Sequence, residues 1–404
     1  MPALIRVGAA MAVGLLGCVS AIGAQELTES QLVEMIVRDG AQARAIQRDV
    51  DVVRHDQAAR TVLSNPSLAF TREGAGYTEF LQVEQFFPIF GSRGALVQAA
   101  AAATLAAEAE RDGRLWQLRA DARALVARLL AEQEKLDASV ITVREVERII
   151  TLLRIREKEG EGSRFDRVRA EQELADARQI ALEAAVSTAE VKAAIAAVVA
   201  ADTRITRVAG VLYVDRDIPA IDTLSSRALT TRHELRRLAA ASERFRLEAD
   251  AARRARLPAP TIVGGLKRAD GATGRESGGL LGVNVSIPLF DSGRREAARW
   301  LAERDRIEAE RALTEQNIRA QVAATAEVLA LRKEAIRAAD AASPAGELTQ
   351  IAEISYTEGE AGILELLDAH RTAARARMRA IDMRLAARLT QIALERVVGD
   401  TLWP

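Results

Sequence analysis

The residue types best suited to chemistry are few in this 404-residue chain, and they do not gather. The three histidines, His55, His233 and His370, lie far apart, and Cys18 is the only cysteine. No group of them has the spacing that holds a metal ion. There is no phosphate-cradling glycine loop, no nucleophile elbow and no plausible nucleophile–histidine pairing near in sequence. The chain is expected not to be an enzyme, with no cofactor and no metal. The acidic residues that stand out lie at helix starts beside glycine-rich turns. Glu365 falls in the first turn of an expected last helix and Asp368 just beyond it, while Asp166 follows Ser163 by three residues. Carboxylates in such places are stabilised by the helix dipole or by a capping box, whatever else they do.

The composition says what kind of elements must position these residues. Hydrophobic residues make up 49% of the chain and aromatic residues only 3%, so the apolar material is mostly alanine, leucine and valine. That suits thin helices packed closely side by side better than one thick core. Charged residues reach 28% with a formal net charge of −1. The balance argues for solvated helix faces and against a nucleic-acid partner.

The strongest signal is internal repetition. "EQFFPIFGSRG" (Glu84–Gly94) and "VSIPLFDSG" (Val285–Gly293) both end a strand-like run in proline and then launch a helix. Pro88 and Pro288, Phe90 and Phe290, Ser92 and Ser292, and Val83 and Val283 share one offset of 200 positions. In the first half, apolar residues recur at helical spacing from Leu27 to about Leu63, and "SNP" (Ser64–Pro66) stops the helix. Two short strands, Ser67–Arg72 and Thr78–Phe87, form a hairpin. A helix from about Arg93 to Lys158 has a seam of Leu129, Leu136, Val143 and Ile150 at heptad spacing. At 1.5 Å per residue it would reach ~100 Å. "EGEGS" (Glu159–Ser163) turns the chain into a helix from Arg164 to about Ala201.

The second half repeats the order: a helix from Leu224 to Arg256, a strand Thr261–Lys267, a loop Arg268–Gly278, and a strand Gly279–Ile287. A long helix to about Tyr356, kinked at Pro344, the turn "TEGEAG" and a last helix Ile363–Val398 complete it. The expected fold is mainly α with a small β part, in two structural repeats of helix, β-hairpin, long helix, helix. The division is a first repeat over 25–201 (hairpin about 67–87, helical hairpin about 93–201), a connector over 202–223, a second repeat over 224–399 (hairpin about 261–287, helical hairpin about 292–398) and a tail over 400–404.

The N-terminus reads as an export signal over 1–24: Arg6 precedes an uncharged stretch from Val7 to Ala24, and the chain then turns polar at "QELTES". "LLGC" (Leu15–Cys18) resembles the lipobox of bacterial lipoproteins, which makes Cys18 a candidate lipidation site. Leu16 is bulky for its lipobox position, and cleavage after Gly23 or Ala24 is the preferred reading. No later stretch of eighteen apolar residues would make a membrane-spanning helix.

In the strand after Gly279, Leu281, Val283, Val285 and Ile287 alternate with Gly282, Asn284 and Ser286. In the first half Leu81 and Val83 alternate with Gln82 and Glu84. Four such strands cannot close a barrel and would leave edges exposed. An exported chain can pack them on its own helices, or pool them with copies of itself into a closed membrane-spanning barrel.

Together these features resemble the TolC-like outer membrane factor family. The resemblance rests on "NPSL" (Asn65–Leu68), "FPIFGSRG" (Phe87–Gly94), "IPLFDSGRR" (Ile287–Arg295), "YTEGEAGILELLDAHR" (Tyr356–Arg371) and the duplicated plan, covering about Leu27 to Gly399. It implies a homotrimer that forms a 12-stranded outer membrane β-barrel and a long periplasmic α-helical barrel. The chain would then serve as the exit duct of a tripartite efflux or type I secretion system, working with a periplasmic adaptor and an inner-membrane pump. Pro88 and Pro288 would mark the junction of barrel and tunnel, where proline needs no ladder donor. The turns with Gly160, Glu161, Gly359 and Glu360 would meet the adaptor. Tyr356, Glu365 and Asp368, with Asp166 in the first half, take the places of the family's periplasmic gate residues, while an arginine found there in some members is Ala361 here. The resemblance leaves the cargo open among metal ions, drugs and proteins. The competing expectation is a periplasmic coiled-coil scaffold or adaptor without a pore, which would carry one helical hairpin flanked by β-rich domains.

Overall fold

The computed structural model describes residues 27–74, 77–199, 205–287, 289–290, 292–342 and 345–403. The export signal with Cys18, Pro288 and the expected kink at Pro344 lie outside the described residues.

The first repeat opens with β1 (Leu27–Thr28), α1 (Glu29–Asp39) and α2 (Ala41–Arg60). Thr28 starts α1 with a capping box, its side chain accepting from Gln31 N while Gln31 Oε1 accepts from Thr28 N. The single helix expected from Leu27 to Leu63 is thus two helices broken at Gly40. A Cβ at Gly40 would stand 2.3 Å from the Ile36 carbonyl oxygen, so only glycine lets the chain turn so close to α1. β2 (Ser67–Glu73) and β3 (Thr78–Phe86) make the hairpin, and α3 (Ser92–Glu159) and α4 (Arg164–Val198) the long helical pair. At 68 residues α3 is ~100 Å long.

In the connector, β4 (Val208–Ala209) pairs in parallel with β1. Sequence reasoning found neither two-residue strand, because they are held by side chains from distant helices. Gln133 of α3 donates to the Val208 carbonyl and accepts from its N–H, each at 3.0 Å. Lys333 pairs with Asp215 at 2.9 Å, and Gln391 donates to the Val214 carbonyl.

The second repeat runs through α5 (Ile221–Thr231), α6 (His233–Ala255), β5 (Pro260–Gly271), β6 (Gly274–Val285), α7 (Arg294–Ala342), α8 (Ala345–Glu358) and α9 (Ile363–Val398). The helix expected from Leu224 to Arg256 is also two, parted at Arg232, whose guanidinium caps α9 through the carbonyls of Arg396 and Val397. The loop expected over Arg268–Gly278 is mostly strand. β5 and β6 stay paired from Pro260↔Val285 up to Gly271↔Gly274. Polar residues there suggested a loop, yet cross-strand pairing continues beyond the apolar part of the hairpin.

The four long strands form one antiparallel sheet in the order β2-β3-β5-β6. The register aligns Leu68, Val83, Gly264 and Leu281 across one face, with Phe70, Leu81 and Leu266 in the next row. These large apolar residues are exposed, Leu281 to 83% and Leu68 to 71%. The opposite face carries Gln82, Glu84, Lys267 and Asn284. Strands β2 and β6 are the open edges.

Among the described residues the buried apolar side chains fall into several clusters. Small buried residues such as Ala95, Ala99, Ala102 and Ala103 let α3 lie close to its neighbours. One apolar cluster joins α1 to α3 around Leu32, Ile36, Val126 and Leu129, and another joins α5, α7 and α9 around Leu224, Leu329 and Leu394. A third lies at the far end of the helices from the sheet.

Candidate functional site

That third cluster builds the tip of the helical arm. Val146, Ile149, Ile150 and Leu153 of α3 pack with Ala170 of α4, Tyr356 of α8 and Ile363, Leu366 and Leu367 of α9. The two turns that close the tip are alike. Gly160 has φ 81° and Gly359 φ 78°, the left-handed conformation that glycine takes without cost. Glu161 N–H bonds back to the Arg156 carbonyl at 3.0 Å, and Glu360 N–H to the Ser355 carbonyl at 2.8 Å. These are helix-ending bonds of the Schellman kind. A Cβ at either glycine would meet nothing within 4 Å, so both turns project into open space.

Tyr356 is 6% exposed, with Arg156 against it. The Arg156 guanidinium lies 5.2 Å from the ring centroid and donates to the Tyr356 carbonyl at 3.1 Å. Burial pushes the Tyr356 hydroxyl above its ordinary pKa, and the charge of Asp166 adds to this while Arg156 opposes it. The structure therefore brings Tyr356 and Asp166 together. Glu365 and Asp368 are on the exposed side of α9 and do not join them within one protomer. The Glu365 carboxylate folds back over its own helix start, with Oε2 2.8 Å from where a Cβ on Gly362 would stand. Ser163 caps α4 by accepting from Phe165 N–H at 3.0 Å.

Ion pairs hold the arm together behind the tip. Arg167 reaches Glu157 at 2.7 Å and Glu171 at 2.9 Å. Arg371 of α9 grips Glu173 of α4, and Arg377 of α9 holds Glu145 of α3 with two bonds of 2.9 and 3.0 Å. Arg148 reaches Glu353 of α8 at 2.5 Å. Glu145 is held down to about 2, foremost by the facing His370 imidazole and also by Arg377, with burial pulling the other way.

Arg156, His370, Glu145 and Glu353 were not singled out from sequence.

At the opposite end, Phe87 N–H bonds to the Pro260 carbonyl at 3.0 Å, and Pro88 follows where the ladder stops. Gly91, with φ 78°, then starts α3. Around this junction Phe87, Ile89, Phe90, Leu289 and Phe290 are all exposed.

Comparison with known proteins fits this architecture. Residues 224–400 match the family described as outer membrane efflux protein. Curated protein sequences give no match. Among solved structures the chain is similar to CusC, with a TM-score of 0.74 at 16% identity over 92% of each chain. It is similar to the CmeC outer membrane channel of Campylobacter jejuni, with a TM-score of 0.73 at 13% identity over 100% of this chain and 96% of that one. The open-state MtrE outer membrane channel of Neisseria gonorrhoeae gives 0.71 at 18% identity, over 95% and 94%. At such identities the likeness is one of fold, and it extends over the first repeat, which the family match does not reach. The matched family is one of outer membrane efflux proteins, and the structures named here are outer membrane channels rather than enzymes. The second repeat carries the sequence signature of the outer membrane efflux protein family, and the chain as a whole shares the fold of the outer membrane channels it resembles.

Proposed function

We propose that the chain is the passive exit duct of a tripartite efflux or type I secretion system, assembled as a homotrimer. The observation that carries this reading is the sheet. Its apolar face is exposed, and its edge strands β2 and β6, of 7 and 12 residues, have no strand on their outer sides among the described residues. Open edges of this length invite pairing with another chain. Three copies joined edge to edge would close twelve strands into a barrel, with the apolar face toward lipid and Gln82, Glu84, Lys267 and Asn284 toward water. Pro88 and Pro288 would then sit where barrel passes into helical tunnel. The helical arm would reach through the periplasm to an adaptor, and Gly160, Glu161, Gly359 and Glu360 would be the surface it meets, because those turns project freely. An inner-membrane pump would supply the energy.

The gate belongs to the same proposal. Repeated three times about an axis, Glu365 and Asp368 would form an acidic constriction, and rings of charge select for ions of opposite sign. Tyr356, held by Arg156, would keep the tip closed. The helix-dipole role of Glu365 is compatible with this and is supported by its folded-back carboxylate.

The competing scaffold without a pore would gain nothing from a strand face this apolar. Fractionation and planar-bilayer recording separate the two. A duct stays in outer membranes after salt and carbonate washing and conducts ions when reconstituted. A protein that washes off, or that forms no conducting particle, is the scaffold.

A further inference from the structure

His370 has no part in the duct as described above, yet its surroundings are unusual. It is only 3% exposed, on α9, in the protomer alone, so assembly cannot be what buries it. Its Nε2 lies 3.2 Å from Glu353 Oε1 on α8, and its Nδ1 lies 3.8 Å from Glu145 Oε2 on α3. Neither ring nitrogen has a well-directed hydrogen bond. The two nitrogens, on different sides of one ring, thus each face a carboxylate from a different helix. The other charged groups around them are Arg377 of α9, on Glu145, and Arg148 of α3, on Glu353; Arg371 of α9 pairs with Glu173 of α4 one residue along the chain.

A neutral imidazole has one N–H and one lone pair. It can offer a donor to one of these carboxylates while presenting a lone pair to the other. Only the protonated ring offers donors to both, and a buried polar atom left without a partner is costly. The site is therefore completed by a proton.

We propose that His370 is a proton-operated clasp, whose imidazolium ties Glu145 on α3 to Glu353 on α8 across α9. This rests on the duct reading, in which the tip helices are the parts that move. The clasp is closed in acid and loses one of its two arms as the proton leaves, so α8 and α9 loosen from α3 as pH rises. Histidine is the side chain whose charge ordinarily changes between about pH 5 and 8. Glu145, held down to about 2, stays anionic throughout that interval. A periplasmic tip would thereby close more tightly in acid surroundings.

The test uses the full-length protein purified from outer membranes. Hydrogen exchange of peptides from α8 and the start of α9, corrected for intrinsic rate, is compared at about pH 5.5 and about pH 8. Open probability is recorded in planar bilayers over the same interval. The wild type should show about tenfold greater protection at the lower pH, on the order expected for one lost charged hydrogen bond, and a lower open probability. His370→Gln and His370→Ala should show neither pH dependence; the glutamine variant keeps similar side-chain bulk and a polar end without a titrating group. Wild-type protection and opening that ignore pH, or variants that keep the wild-type pH response, overturn the clasp. A particle that does not conduct but retains His370-dependent protection refutes the duct and leaves the clasp standing. A conducting particle without His370-dependent protection does the reverse.

Discussion

Replacing Leu281 with arginine separates a lipid-facing sheet from a water-facing one. In the protomer the Leu281 side chain is 83% exposed and covers nothing, so in a soluble scaffold the change should cost within about 0.5 kcal/mol. In the proposed barrel Leu281 lies in the row Leu68, Val83, Gly264 and Leu281, with apolar residues above and below it on the same face. An arginine near the bilayer midplane of such a barrel costs about 2–4 kcal/mol. Three copies per barrel bring about 6–12 kcal/mol on the same scale, comparable to the whole folding free energy of an ordinary domain, about 5–15 kcal/mol. Asn284→Arg is the matched control, because Asn284 is exposed on the same strand but on the polar face. The assay is the amount of SDS-resistant oligomer recovered from carbonate-washed outer membranes. Leu281→Arg should reduce it severely and Asn284→Arg should leave it nearly unchanged. Equal recovery of the two variants would refute the assignment of lipid and water faces.

Gly359→Leu forces a side chain to φ 78°, at a cost of about 1–2 kcal/mol, without any atom to clash with. Trimers should persist in the membrane while complementation of export is lost; loss of the trimers themselves would mean that the turn is purely structural. The Glu365→Ala, Asp368→Ala double variant should conduct with reduced cation preference in planar bilayers, and unchanged selectivity in an intact particle would leave only the helix-dipole role. Glu145 titrates at about 2 when folded against 4.5 in its ordinary state, so its contribution to stability is full above pH 4.5 and is lost as pH falls toward 2. Discounted for partial exposure this is ~1–2 kcal/mol. Glu145→Gln should therefore lower the thermal midpoint of the helical signal at neutral pH and close much of the gap to wild type near pH 3; an equal deficit at both would contradict the linkage.

The duplicated plan was legible because it is written in local signals that recur at one offset. Proline at 88 follows a strand, alternation marks each face, and glycines at 160 and 359 end helices. Tyr356, singled out by motif, is buried in the apolar cluster of the tip. What could not be read was set by contacts distant in sequence. Gly40 breaks a helically patterned run because the Ile36 carbonyl and the end of α4 crowd it. Val208 becomes a strand because Gln133 supplies both of its partners. The polar ends of β5 and β6 carry no apolar alternation and so passed for a loop, although the ladder runs on to Gly271 and Gly274. His370 looked like an isolated histidine, since Glu145 and Glu353 come from helices 225 and 17 residues away.

The central claim is that three chains pool their strands into one membrane duct. The native mass of the particle released by detergent from carbonate-washed outer membranes tests it most directly. The account predicts a particle of three chains. A well-behaved monomer that keeps its full strand signal would contradict it.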